Sequence, residues 1–148
     1  PRALIVYDTM WGSTRKMALA LQEGLENSGV PVTMKSLQEN HVSQIVPELL
    51  TSKLVLVGCP TINNGMLPTI GEFLTYIKGL RPKKRIGFAF GSYGWGGQGA
   101  KEVAAILQGM GWEMPEDTVN LQYVPGEEEL DNLKEVGQRL AGAVKAVK

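Results

Sequence analysis

Two patterns of hydrophobic and polar positions alternate along the chain. Ala3, Leu4, Ile5, Val6 and Tyr7 form an unbroken apolar run, the signature of a strand covered on both faces in a parallel sheet. Residues 13–27 then place Met17, Leu21 and Leu25 four apart on one helical face, and Ser28-Gly29 ends that helix. A shorter strand is predicted at 30–34. After it, Val42, Ile45, Val46, Leu49 and Leu50 recur at helical spacing, with Pro47 inside the run predicting a helix that is short or starts late. The cycle continues with a strand at 53–59 and a helix at 67–79. A fourth strand at 85–91 precedes a helix at 99–110, which turns Val103, Ile106 and Leu107 inward and stops at Gly111. A strand at 118–124 and a helix at 129–147 complete the series.

Five β-α units of this length require right-handed crossovers and helices on both faces of a parallel sheet. The expected architecture is a three-layer α/β sandwich around a five-stranded parallel sheet of order 2-1-3-4-5, forming one domain over residues 1–148. No linker, low-complexity stretch or further repeat interrupts it. In such a sheet a ligand lies outside the carboxyl ends of the strands, where the strand order reverses.

Composition narrows the functional classes. The 15 basic and 15 acidic side chains balance to a formal net charge of zero, against the basic excess of a nucleic-acid binder. A chain of 148 residues buries roughly 70% of its unfolded surface, so it needs no disulfide or metal to complete a core. The single Cys59 has no internal partner and suits a reducing cytosol. The sequence shows no signal peptide and no run of 18 apolar residues, and a cytoplasmic protein is expected. Many of the 18 glycines fall in short clusters that follow apolar runs.

Three loops at the carboxyl edge carry candidate chemistry. Thr9, Met10, Trp11, Gly12, Ser13 and Thr14 follow the first strand and open the first helix. Three hydroxyls and the free amides of a helix start make an anion cradle, and the dipole term alone is worth about 0.3–1 kcal/mol to an exposed phosphate. No lysine lies inside this loop, so it is not a triphosphatase P-loop, and neutral donors suit a terminal monophosphate. A plain helix cap is the competing use of such hydroxyls. Pro60, Thr61, Ile62, Asn63, Asn64 and Gly65 follow the third strand and offer carboxamide donors and acceptors at the edge of a planar ligand. Asn-Gly is also a common turn pair, and taken alone this stretch favours the turn. Ser92, Tyr93, Gly94, Trp95, Gly96 and Gly97 follow the fourth strand, where Tyr93 and Trp95 resemble walls for a flat aromatic ligand. Gly94, Gly96 and Gly99 match G-x-G-x-x-G in letters only. A dinucleotide fingerprint belongs to the first β-α turn and needs an acid at the end of the next strand.

At these residues the chain resembles the flavodoxin-like domain of the A-type flavoproteins, or flavodiiron proteins, over nearly its whole length. Residues 9–14 look like that family's T-x-x-G-S-T phosphate loop, 60–64 its P-T-x-N-x loop, and 92–97 its S-Y-G-W-x-G loop. The resemblance implies a flavodoxin-like fold and FMN as cofactor. Thr9, Met10, Trp11, Gly12, Ser13 and Thr14 would hold the phosphate. Asn63, Asn64 and neighbouring amides would meet the flavin edge, and Tyr93, Gly94, Trp95 and Gly96 would line its face. It implies an electron-transfer role: electrons from a redox protein such as a rubredoxin pass to a diiron centre that reduces dioxygen or nitric oxide. That centre would sit in a separate domain of the parent protein or its dimer mate, and no complete active site for substrate reduction is expected in this chain. Zero net charge departs from the acidic character of free-standing flavodoxins and fits a tethered partner. Starting at Pro1, almost inside the first strand, fits a piece of a larger protein or removal of an initiator methionine.

The remaining candidates have simpler uses. His41 is read as a solvated residue of a polar linker at the opposite edge from the binding loops. Cys59 is read as a small buried hydrophobe, and Lys78, Arg81, Lys83, Lys84 and Arg85 as a solvated face. Glu127, Glu128 and Glu129 suit a helix start. Two rival functions share the fold. An NAD(P)H-dependent quinone or FMN reductase needs a nicotinamide site that no residue announces. A phospho-receiver needs an acidic cluster, an aspartate ending strand three and a lysine after strand five, where this chain has Asp8, Cys59 and Pro125-Gly126.

Overall fold

The computed structural model describes residues 2–9, 12–62, 65–80, 82–94 and 98–146, without the side chain of Ile62. β1 (Ala3–Tyr7), β2 (Val32–Ser36), β3 (Leu54–Gly58), β6 (Ile86–Tyr93) and β7 (Val119–Gln122) form a parallel sheet. Its order is β2-β1-β3-β6-β7, the predicted 2-1-3-4-5 once a small hairpin, β4 (Thr61–Ile62) and β5 (Gly65–Met66), is counted apart.

The apolar runs explain the three layers. Successive side chains of a strand point to opposite faces. Ala3, Ile5 and Tyr7 of β1 and Leu54 and Leu56 of β3 therefore enter one core, with α1 (Ser13–Asn27) and α5 (Glu127–Ala146). Leu4, Val6, Val55 and Val57 enter the other, with α2 (Val42–Thr51), α3 (Pro68–Leu80) and α4 (Gln98–Gly109). All five residues of both strands are buried, which only a covered parallel sheet requires. On the first face α1 and α5 touch backbone to backbone: a Cβ on Gly24 would lie 2.1 Å from the carbonyl oxygen of Lys134.

Several boundaries differ from the expectation for definable reasons. β2 starts at Val32, because the Val30 amide turns back to the Leu25 carbonyl and Gly29, at φ 84°, closes the end of α1. α2 neither starts late nor stops at Pro47. It begins at Val42 because the imidazole of His41 accepts from the Ser43 amide while Gln44 Oε1 accepts from the His41 amide, a capping box. His41 is therefore not at the opposite edge. It follows β2 on the carboxyl side, a few residues from Gln38, whose amide donates to the Thr9 carbonyl at 2.7 Å. Arg85 is no solvated charge either, since its guanidinium donates to the Leu50 carbonyl at 3.2 Å and caps the end of α2. Arg81 lies outside the described residues. α5 starts at Glu127, and Glu129 Oε1 accepts from the Gly126 amide at 3.0 Å.

The register sets the shape of the carboxyl edge. Ser36, Tyr7, Gly58, Phe90 and Val119 form one row across the sheet. Beyond it β6 and β7 alone continue, pairing Gly91 with Asn120, Ser92 with Leu121 and Tyr93 with Gln122. A two-stranded ledge thus rises above the ends of β1 and β3.

Candidate functional site

The start of α1 is built differently from those of α2 and α5, which side chains cap. Its N-cap is Gly12, in the left-handed region at φ 85°, and no side chain caps it. Glycine takes this conformation without strain. The first turn holds no acidic residue, whereas α5 opens with Glu127, Glu128 and Glu129. In α4 the Gly99 amide finds the Thr61 hydroxyl at 2.9 Å. Among the described residues the amides of Ser13, Thr14 and Arg15 and the hydroxyl of Ser13 find no partner. Donors converge here with no acceptor among the described residues, which is the chemistry of an anion site.

The strand before this cradle fixes it from below. Asp8 is buried, its Oδ1 accepting from the Thr9 amide at 2.7 Å and its Oδ2 from the Thr69 hydroxyl at 2.5 Å. Thr9 Oγ1 in turn accepts from the Gly12 amide at 2.9 Å. The hydroxyl of Thr9 therefore shapes the loop, while that of Ser13 is available to a ligand.

Thr14 connects the cradle to the ledge. It is fully buried, and its Oγ1 lies 3.1 Å from Ser92 Oγ, 78 residues away. Its methyl fits beside Gly58, where a Cβ would stand 3.0 Å from Thr14 Cγ2 and 2.4 Å from the Phe90 ring. Ser92 and Tyr93 are strand residues rather than loop residues. Tyr93 and Gly94 stand half-buried at the top of the ledge.

The loop after β3 is largely a hairpin, with Thr61 pairing with Met66 and Ile62 with Gly65. Thr61 spends its hydroxyl on α4. Pro60 is buried and its carbonyl accepts from the Cys59 thiol at 3.1 Å, while the Leu67 amide donates to Cys59 Sγ at 3.2 Å. Burial pushes the Cys59 thiol up to about 12; the Leu67 bond opposes this and the Asp8 carboxylate adds to it. Cys59 is an inert core group, as expected. Met10, Trp11, Asn63, Asn64, Trp95, Gly96 and Gly97 lie outside the described residues. Sequence reasoning missed Asp8 with Thr69, and Gln38. The only available signal for Asp8 was an acid placed directly before a run of donors.

The family model named Flavodoxin matches residues 5–137. This chain belongs to the flavodoxin family. It is 44% identical over 145 residues to the rubredoxin-oxygen oxidoreductase of Megalodesulfovibrio gigas, covering 98% of this chain and 36% of that protein. It is 41% identical to the nitric oxide reductase of Moorella thermoacetica, covering 97% and 36% respectively. The solved rubredoxin oxygen:oxidoreductase of Desulfovibrio gigas superposes with a TM-score of 0.95, at 44% identity over 98% of this chain and 36% of that one. A flavodoxin from the domain Archaea superposes with a TM-score of 0.89 at 29% identity, covering 98% of this chain and 99% of that one. The chain thus spans about a third of the length of the curated relatives it matches. It is similar to the flavodoxin-like part of flavodiiron proteins. The cofactor of flavodoxins is FMN, and the unpaired donors at the start of α1 fit its phosphate. Among the described residues no helix is long and apolar enough to cross a membrane.

Proposed function

We propose that this chain is an FMN-binding electron-transfer domain that relays electrons from a redox-protein donor to a diiron oxygen- or nitric oxide-reducing centre on a separate domain. The observation that carries it is the junction of an uncapped α1 with the β6–β7 ledge through Thr14 and Ser92. An anion site and an aromatic-bearing edge would thereby stand side by side. Gly12, Ser13 and Thr14 would hold the phosphate, with Thr9 shaping their loop. Tyr93, Gly94 and Trp95 would line the ring, and Asn63 and Asn64 would meet its edge. When bound, the flavin supplies one- and two-electron chemistry. The chain's own residues bind and orient it, and no nucleophile or general base is needed. The partner follows from relatives that are longer than this chain, one of them named for oxygen and rubredoxin and another for nitric oxide.

The test begins with titration of the apoprotein by FMN and riboflavin, followed by fluorescence. Tighter binding of FMN than riboflavin is expected, with loss of that preference in Ser13→Ala; equal affinities would sink the phosphate site. The loaded protein is then given NADH or NADPH without oxygen. Persistence of the oxidised absorbance, with bleaching by a reduced redox protein, is expected. Rapid bleaching by the nucleotide alone would replace the relay by a reductase.

A further inference from the structure

Two non-glycine residues, Lys84 and Tyr123, have positive φ among the described residues. Lys84 lies in an exposed turn at the amino edge before β6. Tyr123, at φ 60°, lies at the carboxyl edge just past the end of β7. Its amide donates to the Tyr93 carbonyl at 2.7 Å, and Gln122 Nε2 donates to the Gly94 carbonyl at 3.3 Å. The Tyr123 ring stands next to the same corner: a Cβ on Gly94 would be 3.9 Å from its Cε1. Tyr123 is 59% exposed and belongs to neither core.

This arrangement carries two costs. An aromatic residue in the left-handed region is strained where glycine or asparagine would not be. A large exposed ring is also unfavourable where a polar side chain would be neutral. Among the described residues neither core takes up the ring, and the amide bond to Tyr93 needs no side chain. A flat group packed on the ring beside Gly94 would offset both costs.

We propose that Tyr123 is a further binding residue of the cofactor site, its ring packing against the flat ring system of the bound flavin from the β7 side. This rests on the FMN reading above. Contact is with the ring system and not the phosphate, so Tyr123 acts equally on FMN and riboflavin, unlike Ser13.

The experiment compares wild type with Tyr123→Gly, Tyr123→Asn and Tyr123→Phe in FMN and riboflavin titrations, with the melting temperature of each apoprotein. Glycine and asparagine both accept the backbone and remove the ring. Both are expected to bind FMN and riboflavin about three- to tenfold more weakly than wild type. The Gly and Asn apoproteins should melt no lower than wild type, and Tyr123→Phe should keep wild-type affinity. Wild-type affinity in the Gly and Asn variants, or a loss confined to FMN, would overturn the assignment. Failure of the wild type itself to bind FMN would instead overturn the reading beneath it, so the two failures are told apart in one titration.

Discussion

Thr14 and Ser92 share a buried hydrogen bond of 3.1 Å between elements 78 residues apart. Each hydroxyl is the other's side-chain partner, so removing one strands the other in the interior. Thr14→Val or Ser92→Ala alone should cost about 1–2 kcal/mol in urea unfolding of the apoprotein. The double variant should cost less than the sum, by about 0.5–1.5 kcal/mol, because no hydroxyl is left unpaired. Strict additivity would mean that the two groups do not bond.

Asp8 makes a related prediction about position against charge. Asp8→Ala leaves the Thr9 amide and the Thr69 hydroxyl without their acceptors and should cost about 1–3 kcal/mol. FMN affinity should fall more than riboflavin affinity, because Thr9 holds Gly12 in place. Asp8→Asn keeps an oxygen for the Thr9 amide, and its NH2 donates to the Thr69 oxygen. Recovery of FMN binding in Asp8→Asn is therefore expected. If Asn were as poor as Ala, the charge and not the geometry would matter.

The contrast between these residues shows what the sequence carries. Unbroken apolar runs such as residues 3–7 mark strands because burial on both faces leaves no polar position free, and α1 ends where Ser28 and Gly29 say it should. The hairpin of β4 and β5 has two residues in each strand and no apolar run to reveal it. Ser92 and Tyr93 sit among glycines and read as loop, yet pairing with Leu121 and Gln122 holds them in β6. Local pattern reports which face is buried; it does not report a ladder partner thirty residues on. The same limit hid Asp8, whose partner Thr69 is 61 residues away, and the capping role of His41, whose type is unusual at an N-cap. The hydroxyls of residues 9–14 were legible as donors. Their division of labour was not, since it depends on Gly12 and Ser92.

Gly24 and Gly142 test how closely the helices on the first face pack. A Cβ on Gly24 would strike the Lys134 carbonyl at 2.1 Å, and backbone cannot swing aside as a side chain can. Gly24→Ala should therefore destabilise by about 1–3 kcal/mol despite its better helix propensity. Gly142 lies in α5 with nothing within 4 Å of its would-be Cβ. Gly142→Ala should stabilise by up to about 1 kcal/mol. Urea unfolding of both variants checks the pair, and similar effects at the two sites would contradict the close crossing.

Cys59 makes stability depend on pH in the alkaline range. Its thiol is fully buried and pushed up to about 12 from an ordinary value of 9.0. Above pH 9 the unfolded chain loses this proton while the folded chain keeps it, so folding holds more protons and stability falls as pH rises. The contribution is fully present below about pH 9 and is lost progressively between 9 and 12. Lysines and tyrosines titrate in the same range, so the comparison must be with Cys59→Ala. Between pH 9.5 and 11 the wild type should lose stability faster than this variant, by at most about 1.4 kcal/mol per pH unit. Native protein should also resist a thiol reagent at pH 8 and react on unfolding in urea. Parallel stability curves for the two proteins, or prompt labelling of the native state, would show that the thiol is not sealed beneath Pro60 and Leu67.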